Sequence, residues 1–142
     1  MSSIFNSLGS NYKGSQVFRY MFRGGSEADD LRLKNHLARR FGGKAMLFYK
    51  GREALMQAIV AANLGEGSLV AINGFTCYAV DEAVTKAGHQ NAYLDIDPDS
   101  LHFSADTLEN AVKAQPNIRA VIIQNTLGFA SVSYTHLRAH ET

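Results

Sequence analysis

The chain has 142 residues and a mass of 15.5 kDa, which allows one domain of ordinary size. Hydrophobic residues make up 46% of the chain and charged residues 19%, a balance that excludes a disordered or collagen-like protein. Fourteen Lys and Arg residues stand against thirteen Asp and Glu residues, so the net charge is +1. This balance shows no basic surplus of the kind that a nucleic-acid partner requires.

Membrane and metal functions find little support in the composition. The longest apolar runs, such as residues 58–62, fall far short of the about 20 residues that a membrane helix needs. The N-terminus has no apolar segment of signal-peptide length, so we expect a cytoplasmic protein without a membrane partner. The single cysteine, Cys77, cannot form an internal disulfide, and we expect no metal site.

Residues 1–26 are rich in Ser, Gly and Asn and lack a sustained hydrophobic period. We expect an N-terminal arm there, with one helical turn around Val17–Phe22. Ser26 and the acidic residues after it are typical of a helix start, and Gly42 and Gly43 are typical of its end. The helix between them has apolar side chains at i, i+4 and i+8, which are Leu33, Leu37 and Phe41.

From Lys44 onward, short apolar runs alternate with helical patterns of about ten residues. Strands are predicted at Ala45–Tyr49, Leu69–Ile72, Asn91–Leu94 and Ala120–Ile123. Helices are predicted over residues 52–64, Tyr78–Lys86 and Asp106–Ala114. Continuously apolar strands that alternate with helices indicate an α/β fold, in which a mostly parallel sheet carries helices on both faces. Four strands are too few to finish such a sheet, so we expect a truncated domain.

The last twelve residues, Ser131–Thr142, do not continue this alternation. Their sequence, SVSYTHLRAHET, resembles a peptide that arises when library adapter sequence is translated at the end of a reading frame. We therefore expect residues 131–142 to be a non-native tail, and residues 27–130 to form the partial domain.

The segment Tyr49–Leu55 offers the clearest chemistry, because a predicted strand ends, a glycine follows and a helix begins at once. The free backbone N–H groups and the dipole of such a helix start could hold a phosphate group. A single glycine is also compatible with an ordinary turn that binds nothing. The residues alone leave both interpretations open.

An ordered series of short motifs resembles the DegT/StrS-type family of pyridoxal-phosphate aminotransferases, which have fold type I. The motifs are Gly51-Arg52-Glu53-Ala54-Leu55 at the family's phosphate turn, Leu64–Val70, Phe75-Thr76-Cys77, Leu94–Asp97 and Gln124–Gly128. The resemblance covers residues 27–130. It implies that the chain is the N-terminal part of a fold-type I large domain.

The resemblance also implies which residues contact the cofactor, pyridoxal 5′-phosphate. Gly51, Arg52 and Glu53 would hold its phosphate, chiefly through backbone N–H groups, although the family often has a hydroxyl residue in place of Arg52. Cys77 stands where the family has a ring-stacking aromatic residue, so either Cys77 or Tyr78 would face the ring. Asn125 would contact the phenolic oxygen, as in some relatives.

For the whole enzyme, the resemblance implies amino transfer from an amino-acid donor to a keto-sugar-like, often nucleotide-linked, acceptor. It further implies a homodimer. In the family, the Schiff-base lysine and the aspartate at the pyridine nitrogen lie beyond the position of Gly128. We therefore expect no catalytic residue in this chain and no activity from it alone. The alternative is a non-catalytic α/β module that binds a phosphorylated metabolite at Lys50–Glu53.

Overall fold

The computed structural model describes residues 14–124 of the chain. These residues form two compact units, 14–47 and 48–124. No helix within the described residues is long and apolar enough to cross a membrane. The predicted tail, residues 131–142, and Asn125 lie outside this range.

The first unit contains two helices, α1 (Gly14–Arg23) and α2 (Glu27–Phe41). The predicted single turn around Val17–Phe22 was too short, since α1 has ten residues. Phe18 and Phe22 are four residues apart on α1, and their ring centroids lie 4.6 Å from each other, a pair that stabilises a helix. The predicted bounds of α2 are confirmed: Ser26 Oγ accepts a hydrogen bond from Asp29 N, and Gly42 ends the helix.

The second unit contains a parallel sheet of three strands in the order β2–β1–β3. Its elements in chain order are α3 (Gly51–Ala61), β1 (Leu69–Asn73), α4 (Tyr78–Lys86), β2 (Gln90–Leu94), α5 (Ala105–Ala114) and β3 (Ile118–Val121). The central strand runs in register with β2, where Leu69 pairs with Gln90 and Asn73 with Leu94. The predicted α/β fold with a parallel sheet is confirmed.

The predicted strand at Ala45–Tyr49 is wrong. Residues 44–48 form no regular structure, and Tyr49 precedes the helix α3. Met46 and Tyr49 are 76% and 91% exposed, so this apolar run is not buried as a core strand would be. A strand needs a neighbour for its backbone hydrogen bonds, and residues 45–49 pair with none of the three strands of the described sheet.

Hydrophobic side chains cover both faces of the central strand. The face toward α3 and α4 contains Ile59, Val70, Ile72, Val80 and Val84. The face toward α5 contains Ala71, Ala92, Leu94, Phe103, Leu108 and Ile118. Because successive side chains of a strand point to opposite faces, β1 contributes to both clusters. The predicted placement of helices on both faces is therefore confirmed.

Alanine substitutions at Val84 and Val112 compare the contribution of a buried valine to the free energy of unfolding with that of an exposed one. Val84 on α4 is completely buried against the sheet, whereas Val112 on α5 is 40% exposed. We expect Val84→Ala to lower the free energy of unfolding by about 2 kcal/mol, through lost burial and the cavity left behind. We expect Val112→Ala to be neutral, because alanine is the better helix former. Urea unfolding of both variants measures the difference, and equal losses would contradict it.

Candidate functional site

The order of the strands singles out one edge of the sheet. The carboxyl ends of β1 and β3 lie side by side, because these strands are parallel neighbours. In open sheets with the order 2-1-3, ligands bind outside the carboxyl ends at this junction, where the strand order reverses. The segment Asn73–Tyr78 leaves β1 at that edge, and Gln124 follows β3 there. We call this region the β1–β3 edge.

One polar contact bridges the β1–β3 edge. Thr76 Oγ1 donates a hydrogen bond to the side-chain oxygen Oε1 of Gln124, and both residues are half-buried. The contact ties the segment after β1 to the segment after β3. It therefore fixes the position of Gln124, which immediately precedes Asn125 in the sequence.

Asn73 and Gly74 fix the start of the same segment. The side chain of Asn73 is fully buried, donates from Nδ2 to Leu101 O at 3.0 Å and accepts from Phe75 N at 2.9 Å. Gly74 N donates to Leu94 O at 2.9 Å, and a Cβ on Gly74 would lie 2.9 Å from that oxygen. The exit of β1 is thus held against the last residue of β2 and the segment that follows it. Neither residue was predicted from the sequence, although Asn-Gly after an apolar strand is a signal for such a turn.

The helices α2 to α5 differ in how their first N–H groups are satisfied. Ser26 and Ser104 cap α2 and α5 with their side chains. The residues at the same positions of α3 and α4 are Lys50 and Cys77, and neither makes a side-chain capping bond. These two starts are also the ones that carry the predicted cofactor contacts.

The first turn of α3 has free donors and open space in front of them. The first bonds within this helix run from Glu53 N and Ala54 N to Lys50 O, at 3.1 and 3.2 Å. The N–H groups of Gly51 and Arg52 precede these bonds, as expected for a helix start. A Cβ on Gly51 would meet no atom within 4 Å, so an anion has room to approach the backbone. The residues present therefore fit a phosphate group at this turn.

A cleft of about 340 Å³ lies between the first turn of α3 and the helix α4. Its lining consists of Lys50, Arg52, Glu53, Met56, Glu82, Ala83 and Lys86. Within it, Arg52 Nη1 pairs with Glu82 Oε2, and Lys86 Nζ lies 2.7 Å from Glu82 Oε1. The hydrogen bond from Lys86, and next the charge of Arg52, lower the pKa of Glu82 against the opposing effect of desolvation. Glu82 was not predicted from the sequence, because no local spacing relates it to a residue thirty positions earlier.

Comparison with known proteins decides the family. The family model of the DegT/DnrJ/EryC1/StrS aminotransferases matches residues 32–139. The chain belongs to this family. Among curated protein sequences, none gives a significant match.

Solved structures of longer proteins share the fold. An aminotransferase of the same family from Brucella abortus is 25% identical, with a TM-score of 0.67 over 88% of this chain. Spr1654 from Streptococcus pneumoniae, assigned as a sugar aminotransferase, is 20% identical. Its PLP-form and PMP-form structures give TM-scores of 0.69 and 0.70, again over 88% of this chain. The chain spans about a third of their length, 35% for the first protein and 32% for the second.

Five of the six residues predicted from the family resemblance lie at the starts of α3 and α4. Gly51, Arg52 and Glu53 form the first turn of α3, and the side chain of Arg52 reaches α4. Cys77 stands at the N-cap of α4 and is exposed, and Tyr78, 72% exposed, is its first residue. Asn125 lies outside the described residues. In residues 14–124, no group of His, Cys, Asp and Glu is arranged to hold a metal ion.

Replacing Gly74 tests how tightly the β1–β3 edge is built. We expect Gly74→Ala to lower the free energy of unfolding by about 1–3 kcal/mol, because the added methyl group would press on the Leu94 carbonyl oxygen. Gly51→Ala is the matched control, since its methyl group would enter open space. Chemical unfolding compares the two variants. Equal stabilities would show that the edge tolerates a side chain at position 74.

Acid should weaken the junction between α3 and α4. The lowered pKa of Glu82 means that its ionised form stabilises the fold fully above the ordinary value of 4.5. That contribution is lost as the pH falls through the lower pKa of the folded state. We expect the stability of Glu82→Gln to fall less steeply with acid than that of the unaltered chain.

Urea midpoints at a series of pH values below neutrality measure this slope. Glu109→Gln on α5 is the matched control, because Glu109 also pairs with a lysine four residues later, Lys113, on the opposite face of the sheet from α3 and α4. A Glu82→Gln profile parallel to that of the unaltered chain would contradict the prediction.

Proposed function

We propose that the chain is part of the cofactor-binding domain of an aminotransferase that uses pyridoxal 5′-phosphate. The match of the family model to residues 32–139 carries the proposal, because that stretch contains α3, the whole sheet and the β1–β3 edge. When bound, the cofactor supplies an electron sink for reactions at the amino-bearing carbon. The Streptococcus pneumoniae protein, solved in a PLP form and a PMP form, supports this choice of cofactor.

We propose that the phosphate of the cofactor lies at the first turn of α3. Gly51 and Arg52 provide the two N–H groups that precede the first bonds within the helix. Glu53 N already donates to Lys50 O, so its N–H group would be a shared donor. The helix dipole and the ammonium group of Lys50 add positive potential at the same place. Glu53 also lines the cleft toward α4, and its negative carboxylate would add no favourable contact to the phosphate.

We propose that the cofactor ring lies at the β1–β3 edge, beside Cys77 or Tyr78. Both residues are exposed at the uncapped start of α4, so a flat ring could reach either one. Asn125 follows Gln124, whose side chain is held by Thr76, and is proposed to contact the phenolic oxygen. The hydrogen bonds of Asn73 and Thr76 would hold this segment rigid while the ring is bound.

The substrates and the assembly are proposed from the family. The complete enzyme would transfer an amino group from an amino-acid donor to a keto-sugar-like acceptor, as a cytoplasmic homodimer. The lysine that binds the cofactor covalently, and the aspartate at its pyridine nitrogen, would belong to the rest of the longer enzyme. The Streptococcus pneumoniae structures support a sugar substrate class, since that protein is assigned as a sugar aminotransferase.

Gly51→Val tests the phosphate assignment. The branched side chain would fill the open space in front of the N–H groups, so we expect binding of pyridoxamine 5′-phosphate to weaken by about tenfold or more. Asp99→Ala is the control, because Asp99 lies in the exposed turn after β2. Equilibrium dialysis of both variants measures the dissociation constants. Equal dissociation constants for the two variants would show that the phosphate does not bind at this turn.

A further inference from the structure

We infer that Arg52 is a positioning residue, which holds the first turn of α3 against α4 through Glu82 and does not bind the phosphate with its own guanidinium group. The inference rests on the proposed function and assigns a role to the side chain of Arg52 within the proposed site. It separates two functions of one residue: the backbone N–H would face the anion, and the side chain would anchor the turn.

The carboxylate of Glu82 has a separate cation on each oxygen. Arg52 Nη1 pairs with Oε2, and Lys86 Nζ lies 2.7 Å from Oε1. The side chain of Glu82 is only 17% exposed, whereas that of Arg52 is 43% exposed. A carboxylate that is this well covered and doubly paired is costly to strip of a partner, so it holds the guanidinium group in place.

The helix α4 is itself attached to the sheet, so the anchor is firm. Asp81 Oδ1 accepts hydrogen bonds from Asn91 Nδ2, at 2.7 Å, and from the hydroxyl group of Tyr93, both on β2. The next residue of α4 is Glu82, which pairs with Arg52. Through these two consecutive residues, α4 contacts both β2 and the first turn of α3.

The two possible roles of Arg52 predict opposite effects of Glu82→Gln. If the guanidinium group bound the phosphate, the nearby carboxylate would compete for it and repel the anion, so removing that charge would strengthen binding. If Arg52 positions the turn through Glu82, removing the carboxylate charge loosens the turn and weakens binding. The sign of the change therefore decides between the two roles.

The experiment measures binding of pyridoxamine 5′-phosphate to the full chain by equilibrium dialysis. This probe carries the phosphate and the ring but has no aldehyde that would react with surface lysines. We expect Arg52→Gln and Glu82→Gln each to weaken binding by about two- to fivefold, which is the effect of one partly exposed ion pair. We expect the double variant to bind no more weakly than either single variant, because both changes break the same contact.

Exchanging the charges of Arg52 and Glu82 tests for restored binding, which a general loss of stability would not produce. We expect Arg52→Glu combined with Glu82→Arg to restore binding to within about twofold of the unaltered chain, because the pair is re-formed in reverse. Glutamate at position 52 could not replace a guanidinium group that binds phosphate. Glu109→Gln is the matched control on α5 and should bind the probe as the unaltered chain does.

Several results would overturn the inference. Stronger or unchanged binding by Glu82→Gln would do so, as would additive losses in the double variant or a charge exchange that fails to restore binding. If the single variants lowered the unfolding midpoint but left the dissociation constant of the probe unchanged, the Arg52–Glu82 pair would stabilise the fold without positioning the phosphate site.

Failure of the proposed function has a different signature. In that case the unaltered chain would bind pyridoxamine, which lacks the phosphate, as well as it binds the phosphorylated probe, and Gly51→Val would change nothing. That result would overturn the positioning role together with the phosphate site.

Discussion

Burial of β1 on both faces is the constraint on which the rest of the structure depends. Val70 and Ile72 face α3 and α4, and Ala71 faces α5, so the strand presents no polar side chain along that stretch. The first polar side chain of the strand is Asn73, at its carboxyl end, and the fold satisfies it internally. Polar groups that can meet a ligand therefore begin beyond the strand, in the segment that leads to Tyr78. The location of the β1–β3 edge follows from this requirement.

The helix α4 connects the two parts of the proposed site through consecutive carboxylates. Adjacent residues of a helix point about 100° apart, so Asp81 and Glu82 reach different neighbours. Asp81 contacts β2, and Glu82 contacts the first turn of α3. The start of α4 carries Cys77 and Tyr78, which are proposed to lie near the cofactor ring. The proposed phosphate end and the proposed ring end thus share one framework, although they are far apart in the sequence.

The sequence predicted the elements whose signals are local. The bounds of α4 agree with the prediction, and β1 extends the predicted Leu69–Ile72 by one residue, because apolar runs and helix starts depend on near neighbours. The strand at Ala45–Tyr49 failed because an apolar run indicates burial but does not show which strand could pair with it. The strand β3 begins and ends two residues before the predicted Ala120–Ile123, since its bounds are set by pairing with β1 rather than by side chains. The partners of Arg52 and Asn73 could not be predicted, because Glu82 and Leu101 are distant in sequence.

The proposed phosphate site relies on backbone N–H groups, so it accommodates Arg52 at a position where the resemblance often places a hydroxyl residue. Every residue except proline has an N–H group, so donors at a helix start survive a change of side chain. The side chain at position 52 is then available for another purpose, and the structure pairs it with Glu82. A site that relied on a hydroxyl group would have lost a ligand at this position. A site that relies on the orientation of α3 instead gains a contact that fixes that orientation.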